Sequence, residues 1–261
     1  MNILDKIKQH KTKEVQERKE LYPVKLLERS IFFDTACVSL KEYLKAPGRS
    51  GIIAEFKRKS PSKGDINKYA DVEKISIGYM QAGASALSIL TDEEFFGAKQ
   101  GDLQAARKLN YCPILRKEFI IDEYQIIESR SMGADAILLI SRMLNPKQVE
   151  LLADCAKNLG LEVFLETHSK EEIIKNTLEN IDLVGINNRN LETFEVNIEN
   201  SLRLAELLPE ETVKVAESGI ESPGTIKTLR YNGFQGFLIG EHFMRHSNPA
   251  EKCKELVKSL G

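Results

Sequence analysis

The chain has 261 residues, enough for one α/β barrel, a fold that commonly fills about 250. A formal net charge of -2, 42% hydrophobic residues and a mean hydropathy of -0.29 exclude a global field for nucleic acid or an anionic membrane, so any anion site must be local. No apolar run approaches the roughly 20 residues of a membrane span, the N-terminus lacks the apolar core of a signal peptide, and the four cysteines form no CxxC pair, so a reduced, cytoplasmic protein is expected.

Ile3, Leu4 and Ile7, set among charged positions, predict an amphipathic helix, and Val24, Leu26 and Leu27 a second. No Gly/Ser-rich linker follows. Residues 1–50 are therefore read as a helical extension packed on a domain that runs from 51 to 261. From Gly51 onward, short apolar runs alternate with segments of helical period. Strands are predicted at Gly51–Phe56, Ser85–Leu90, Cys112–Arg116, Asp135–Ile140, Leu161–Leu165, Leu183–Ile186, Val213–Ala216 and Gln235–Ile239. Runs such as DAILLI and GFLIG show no polar alternation, the pattern of parallel strands buried on both faces. The intervening helices signal their starts: Asn145-Pro146, Ser222-Pro223 and Asn248-Pro249 pair a capping side chain with proline at the first helical position. Ser169 with Glu172, and Asp122 with Gln125, have capping-box spacing. Eight strands, seven intervening helices and a closing C-terminal helix point to a (β/α)8 TIM barrel with an N-terminal helical extension. A doubly wound open sheet would also alternate in this way, but neither GxGxxG nor a P-loop follows the first strand.

In such barrels the site lies where strands run out into the βα loops. Strand 1 runs out at Glu55 and Lys57, strand 3 at Lys117, strand 5 at Glu166, and strand 6 at Asn187 and Arg189. Strand 7 runs out at Glu217-Ser218-Gly219 and strand 8 at Gly240, whereas the strand bodies are almost wholly apolar. Glu55 and Lys57 are two apart and share a face with Ile53, which sets both charges above the barrel core. Buried charges need partners. Strand ends converging on one mouth would supply them, giving a set that donates and accepts protons. A single Lys or Glu at a strand end is most often solvated surface; five such ends together are harder to read that way.

Ser218-Gly219 and Gly240-Glu241 fall in loops 7 and 8, where barrels often bind phosphate, and His242–Arg245 could form the short extra helix of such sites. Ser60, inside KRKSPSK, could add a hydroxyl from the first loop. That basic run lacks the aromatic interleaving of a nucleic-acid patch and is read as a loop covering a substrate. His242 and His246 are spaced i, i+4 but no carboxylate motif completes a metal site, and no GxSxG elbow is present.

At these residues the sequence resembles the indole-3-glycerol phosphate synthase family. The matching stretches are IIAEFKRKSPSKG (52–64), SILTDEEFFGAKQGDL (88–103), PILRKEFIID (113–122), VGINNRNLETFEV (184–196), VAESGI (215–220) and GFLIGEHFMR (236–245), and the leading ILDKI run is similar as well. FLETHS departs from the family's apolar–Glu–apolar–His pattern at Thr167. The resemblance implies conversion of 1-(o-carboxyphenylamino)-1-deoxyribulose 5-phosphate to indole-3-glycerol phosphate, with loss of CO2 and water, in tryptophan biosynthesis. It implies no metal and no other cofactor, and a monomer or weak homodimer. By carry-over, Lys117 is the acid for ring closure and Lys57 lies at the carboxylate and acts in dehydration. Glu166 and Glu55 are acid/base partners, Asn187 and Arg189 orient substrate, and Glu217 holds the lysine network. Ser60, Ser218, Gly219, Gly240 and Glu241 fall on the phosphate side, and Phe95, Phe96, Phe119, Leu138 and Leu191 form an apolar wall for the anthranilate ring.

Three other readings stay open on the sequence. A phosphoribosylanthranilate isomerase type would need a Cys and an Asp at strand ends, and no such Cys is found. A Schiff-base aldolase would use Lys117 or Lys57 as nucleophile. A non-catalytic binder of a phosphorylated metabolite would not need the Glu55, Lys57, Lys117, Glu166 set.

Overall fold

A computed structural model of the chain describes residues 3–61, 63–190 and 195–261. Its strands are β1 Ile52–Phe56, β2 Ala86–Leu90, β3 Ile114–Lys117, β4 Ala136–Ile140, β5 Glu162–Thr167, β6 Leu183–Asn187, β7 Val213–Glu217 and β8 Phe234–Ile239. They are parallel and close into an eight-stranded barrel in which β8 returns to β1, with Ala54 opposite Ile239. The expected TIM barrel is the observed fold; closure leaves no edge for the open-sheet alternative. It also accounts for the unbroken apolar runs. β1, β2 and β4 are buried at every position, one face filling the barrel and the other lying under helices.

The predicted strands hold to within two residues, with one systematic difference. Lys117, Asn187 and Glu217 are the last residues of their strands, and β5 runs through Glu166 to Thr167. The ladder continues through these polar residues, setting Lys117 beside Leu90 and Asn187 beside Glu217. A charge at the end of an apolar run reads as a stop; here its side chain finds partners inside the barrel mouth, so pairing goes on. Thr167, the departure noted above, is fully buried and its Oγ1 donates to Gly185 O at 2.9 Å, a bond that settles its packing within the wall.

The helices are α1 Ile3–Leu21, α2 Val24–Leu27, α3 Leu40–Lys45, α4 Val72–Gln81, α5 Glu93–Phe96, α6 Asp102–Leu109 and α7 Glu123–Met132. They continue as α8 Pro146–Asn158, α9 Lys170–Lys175, α10 Glu199–Ala205, α11 Pro223–Tyr231, α12 Glu241–Met244 and α13 Pro249–Lys258. The expected caps are present. Asn145, Ser222 and Asn248 accept the N–H of Gln148, Thr225 and Glu251, and Asp122–Gln125 and Asn145–Gln148 form reciprocal boxes. No helix among the described residues is long and apolar enough to cross a membrane.

The extension differs from expectation in two ways. α2 is a single turn with no buried residue, and α3 has no counterpart in the sequence reading. Ser39 caps α3 by accepting the Glu42 N–H, while Leu40 and Leu44 are buried. α1 buries Ile7, Lys11 and Val15, a stripe at i, i+4, i+8. Its middle member is charged. Lys11 Nζ lies 2.8 Å from Asp92 Oδ2 and 2.9 Å from both Glu118 Oε1 and Glu14 Oε2, so carboxylates from the loops after β2 and β3 hold the helix down.

Candidate active site

The C-terminal mouth of the barrel opens into a cavity of about 590 Å³. Glu55, Lys117, Glu166 and Glu217 stand at its floor and come from β1, β3, β5 and β7. Alternate strands of an eight-stranded barrel share one layer of interior side chains, so these four groups must meet. Lys117 Nζ stands 2.7 Å from Glu166 Oε2 and 3.0 Å from Glu217 Oε2. Lys57 Nζ, one step up β1, is 2.8 Å from Glu55 Oε1. Asn187 Nδ2 donates to Glu166 Oε1 at 2.9 Å, and Asn187 Oδ1 accepts the Arg189 backbone N–H at 3.0 Å.

Burial and charge oppose each other at this floor. Burial alone would lower the Lys117 pKa, but the Glu166, Glu217 and Glu55 carboxylates outweigh it and raise it, so the side chain is an ammonium at neutral pH. Burial would raise Glu166; Lys117 and His168 reverse that and hold it ionised. Glu217 goes the other way, because burial and the neighbouring Glu166 charge together exceed the pull of Lys117. The two carboxylates on one lysine thus differ in proton affinity, the arrangement that separates a base from a proton-holding neighbour.

The other end of the cavity is built from loops. Ser60 is buried in a short antiparallel hairpin, Lys59–Ser60 against Gly64–Asp65, which is the form that the first loop takes. Arg58 anchors this hairpin by pairing with Asp102 and donating to Ala70 O at 3.0 Å, so it serves the loop and not the cavity. Ser218 and Gly219 both adopt left-handed backbone, φ 67° and 72°, which is uncommon for a serine. Gly240 precedes α12, which begins one residue before the predicted short helix. The first N–H groups of α12 have no partner within the helix. Arg189 and Glu241, assigned separately to substrate, are paired at 3.1 Å across the rim.

An apolar flank closes the third side. Phe96, Phe119 and Leu138 line the cavity, with the Phe96 and Phe119 rings stacked at 5.5 Å. Phe95 lies outside that lining, its ring edge-on to Phe119 at 6.1 Å and to His10 at 5.6 Å. It backs the wall without facing the cavity. Leu191 lies outside the described residues.

Sequence reasoning assigned no role to three contributors. Ile3, Leu4 and Ile7 of α1 line the cavity, so the extension forms part of its apolar side. Their amphipathic period gave the helix but not its docking position. Glu118, the residue after β3, lines the cavity and also pairs with Lys11. His168 lies two residues beyond Glu166 and therefore on its side of the strand, a spacing that was legible. Among the described residues, no group of three or more His, Cys, Asp or Glu is arranged to hold a metal ion, and His242 and His246 meet only ring to ring, at 5.8 Å.

Comparison with known proteins gives consistent results. Residues 4–256 match the family described as indole-3-glycerol phosphate synthase. The chain is 49% identical over 259 residues to the indole-3-glycerol phosphate synthase of Bacteroides thetaiotaomicron, covering 99% of each. It is 41% identical over 258 residues to that of Salinibacter ruber, covering 98% of this chain and 95% of the relative. Among solved structures, thiamine phosphate pyrophosphorylase from Pyrococcus furiosus matches with a TM-score of 0.61 at 16% identity, over 85% of this chain and 98% of that one. At that identity the likeness speaks for the barrel alone.

Proposed function

The chain belongs to the indole-3-glycerol phosphate synthase family, and from that premise we propose a division of labour among the residues of its barrel mouth. The reaction is the ring closure of 1-(o-carboxyphenylamino)-1-deoxyribulose 5-phosphate, followed by loss of CO2 and water, to indole-3-glycerol phosphate in tryptophan biosynthesis. It is carbon–carbon lyase chemistry. The aryl carbon bearing the carboxylate attacks the sugar carbonyl, whose oxygen takes a proton. CO2 leaves and the ring regains aromaticity. The new hydroxyl then departs as water with a second proton, while a base removes one from the neighbouring carbon.

Lys117 supplies the first proton. Its raised pKa keeps it an ammonium, and the oxyanion that develops on the carbonyl is more basic than any lysine amine, so transfer runs downhill as the bond forms. Glu166, held ionised, is the base that takes the carbon-bound proton in dehydration, and the acid so formed returns that proton to Lys117 across their 2.7 Å contact. Lys57 faces the substrate carboxylate and, paired with Glu55, serves dehydration. Asn187 and Arg189 orient the sugar, and Glu217 positions Lys117. Ser60, Ser218, Gly219, Gly240 and Glu241 flank the phosphate, with Arg189 holding the Glu241 side chain aside from the anion. Phe96, Phe119 and Leu138 flank the anthranilate ring, with Phe95 supporting them from behind.

The observation that carries this reading is the Lys117 ammonium between two carboxylates of unequal proton affinity, on the cavity floor that also holds the Lys57–Glu55 pair. Incubation of the purified protein with the carboxyphenylamino substrate, without added metal, is expected to give indole absorbance and fluorescence. No product at any pH would reject it. Borohydride with substrate is expected to trap no lysine adduct; a covalent adduct would favour the aldolase chemistry. We further propose that it acts as a monomer or weak homodimer in a reducing, cytoplasmic setting.

A further inference from the structure

Beyond Glu166, β5 passes into His168, whose side chain is 7% exposed. Its Nε2 lies 3.4 Å from Glu166 Oε1, and its Nδ1 lies 3.5 Å from Glu172 Oε2 on α9. Both separations are slightly longer than a direct hydrogen bond, so the ring sits between the two carboxylates without being locked to either. Glu172 is itself fixed. Its Oε2 accepts the His168 backbone N–H at 2.9 Å, and Ser169 Oγ accepts the Glu172 N–H at 3.3 Å. The line therefore runs from a capped helix start, through an imidazole, to the carboxylate that grips Lys117.

The charged groups facing this ring are Glu166 and Glu172 at its two nitrogens, Glu217 from β7, and Lys117 beyond Glu166. Burial would lower the imidazole pKa; the Glu172 and Glu166 carboxylates beside its two nitrogens outweigh it and raise it. A histidine merely filling space would not need an acid on each side. From this geometry we infer that His168 is a positioning residue for the reaction, joining Glu172 to Glu166 so that the Glu166 carboxylate stays ionised and aimed at Lys117. The inference rests on the proposed acid–base role of Glu166.

The test is the pH dependence of kcat for His168→Gln, with KM measured alongside. In the wild type, the His168 cation stabilises ionised Glu166. Removing it is expected to move the acidic limb of the kcat profile upward by about one pH unit, the size expected when an opposite charge within about 4 Å is lost. KM for the substrate is expected to stay within about threefold, since the ring touches Glu166 and not the ligand. Glu172→Gln, at the far end of the line, is expected to shift the same limb in the same direction by less. It provides the same measurement should His168→Gln fold poorly. His168→Phe, which has neither a donor nor a charge, is expected to lower kcat further while shifting the limb as far as His168→Gln. An unmoved limb in both His168→Gln and Glu172→Gln overturns the inference, whatever happens to kcat or thermal stability. Glu166→Gln separates the two levels. If that variant keeps its kcat, the role of Glu166 itself falls; if it is inactive while His168→Gln matches the wild type, only the role of His168 falls.

Discussion

Gly240 faces Glu55 across the seam where β8 closes on β1, and there is no room between them for a side chain. A Cβ on Gly240 would stand 2.9 Å from Glu55 Cβ, 3.0 Å from its carboxyl carbon, and would collide with Oε1. That Oε1 is the atom holding Lys57. Besides the phosphate role proposed for it, the glycine leaves the space that the carboxylate occupies. Gly185 stands in the same relation to Glu217, whose Oε1 would collide with a Cβ there.

Gly240→Ala is accordingly expected to lower kcat by about 100-fold, the cost of displacing a reacting group by roughly 1 Å. Affinity for the phosphorylated substrate is expected to weaken as well. Steady-state kinetics separates the two effects. A change confined to KM would mean that Glu55 yields without consequence for Lys57, leaving Gly240 a phosphate-loop residue only.

Lys117→Ala is expected to lower kcat by about 100- to 10,000-fold with little change in KM, because the group acts on charge that appears only in the transition state. Lys117→Arg is the sharper variant. It keeps a cation between Glu166 and Glu217, but a guanidinium does not give up its proton. If the lysine served only as a fixed charge, the arginine variant would retain most of the turnover; near-complete loss is expected.

Much of this site could be read from the sequence because charged or amide residues closing apolar runs are rare in a barrel wall. Lys117, Glu166, Asn187 and Glu217 were each visible in this way, and the layering of alternate strands says which of them meet. The residues that escaped depend on how separate elements pack. Whether Phe95 or Phe96 faces the cavity is set by the rotation of the one-turn helix α5, which adjacent identical residues do not encode. Lys11 sits in a helix dense with charge, where any lysine reads as solvated. Its complete burial requires Asp92 and Glu118, from two loops distant in the sequence.

The Lys11 cluster makes a prediction about the extension. Asp92 accepts the Phe95 N–H at 2.6 Å at the head of α5, and Glu118 accepts the Phe119 N–H at 2.8 Å, so one ammonium ties α1 to both aromatic loops. Lys11→Met would leave buried Asp92 without its cation and Glu118 with only Arg116, 3.6 Å away, a change that costs about 3–5 kcal/mol. A lower midpoint in thermal or urea denaturation is expected, together with faster proteolysis near the end of α1 at Leu21. KM is expected to rise, since Ile3, Leu4 and Ile7 line the cavity. Adding Asp92→Asn and Glu118→Gln to Lys11→Met is expected to recover part of the stability. If the single variant denatures at the wild-type midpoint, the extension is held by its apolar stripe alone.

The unequal carboxylates also set a pH dependence of stability. The pKa of Glu217 is raised from its ordinary 4.5 to about 7 by burial and by Glu166. Between these values the folded chain holds a proton that the unfolded chain has released, so this group's contribution to stability falls as pH rises through the window. Glu166, lowered from 4.5, works in the opposite sense, its contribution being lost only as pH falls below that value. His168, raised from 6.5, adds stability that is complete below 6.5 and is lost as pH rises through its folded value. Replacing Glu217 with Gln removes the first of these slopes and leaves the others. Relative to the wild type, Glu217→Gln is therefore expected to gain in melting temperature from pH 5 to pH 8, even if it starts lower at pH 5. A difference between the two proteins that stays constant over that range would mean that Glu217 is ionised throughout and that Lys117 is neutralised by both carboxylates, not chiefly by Glu166.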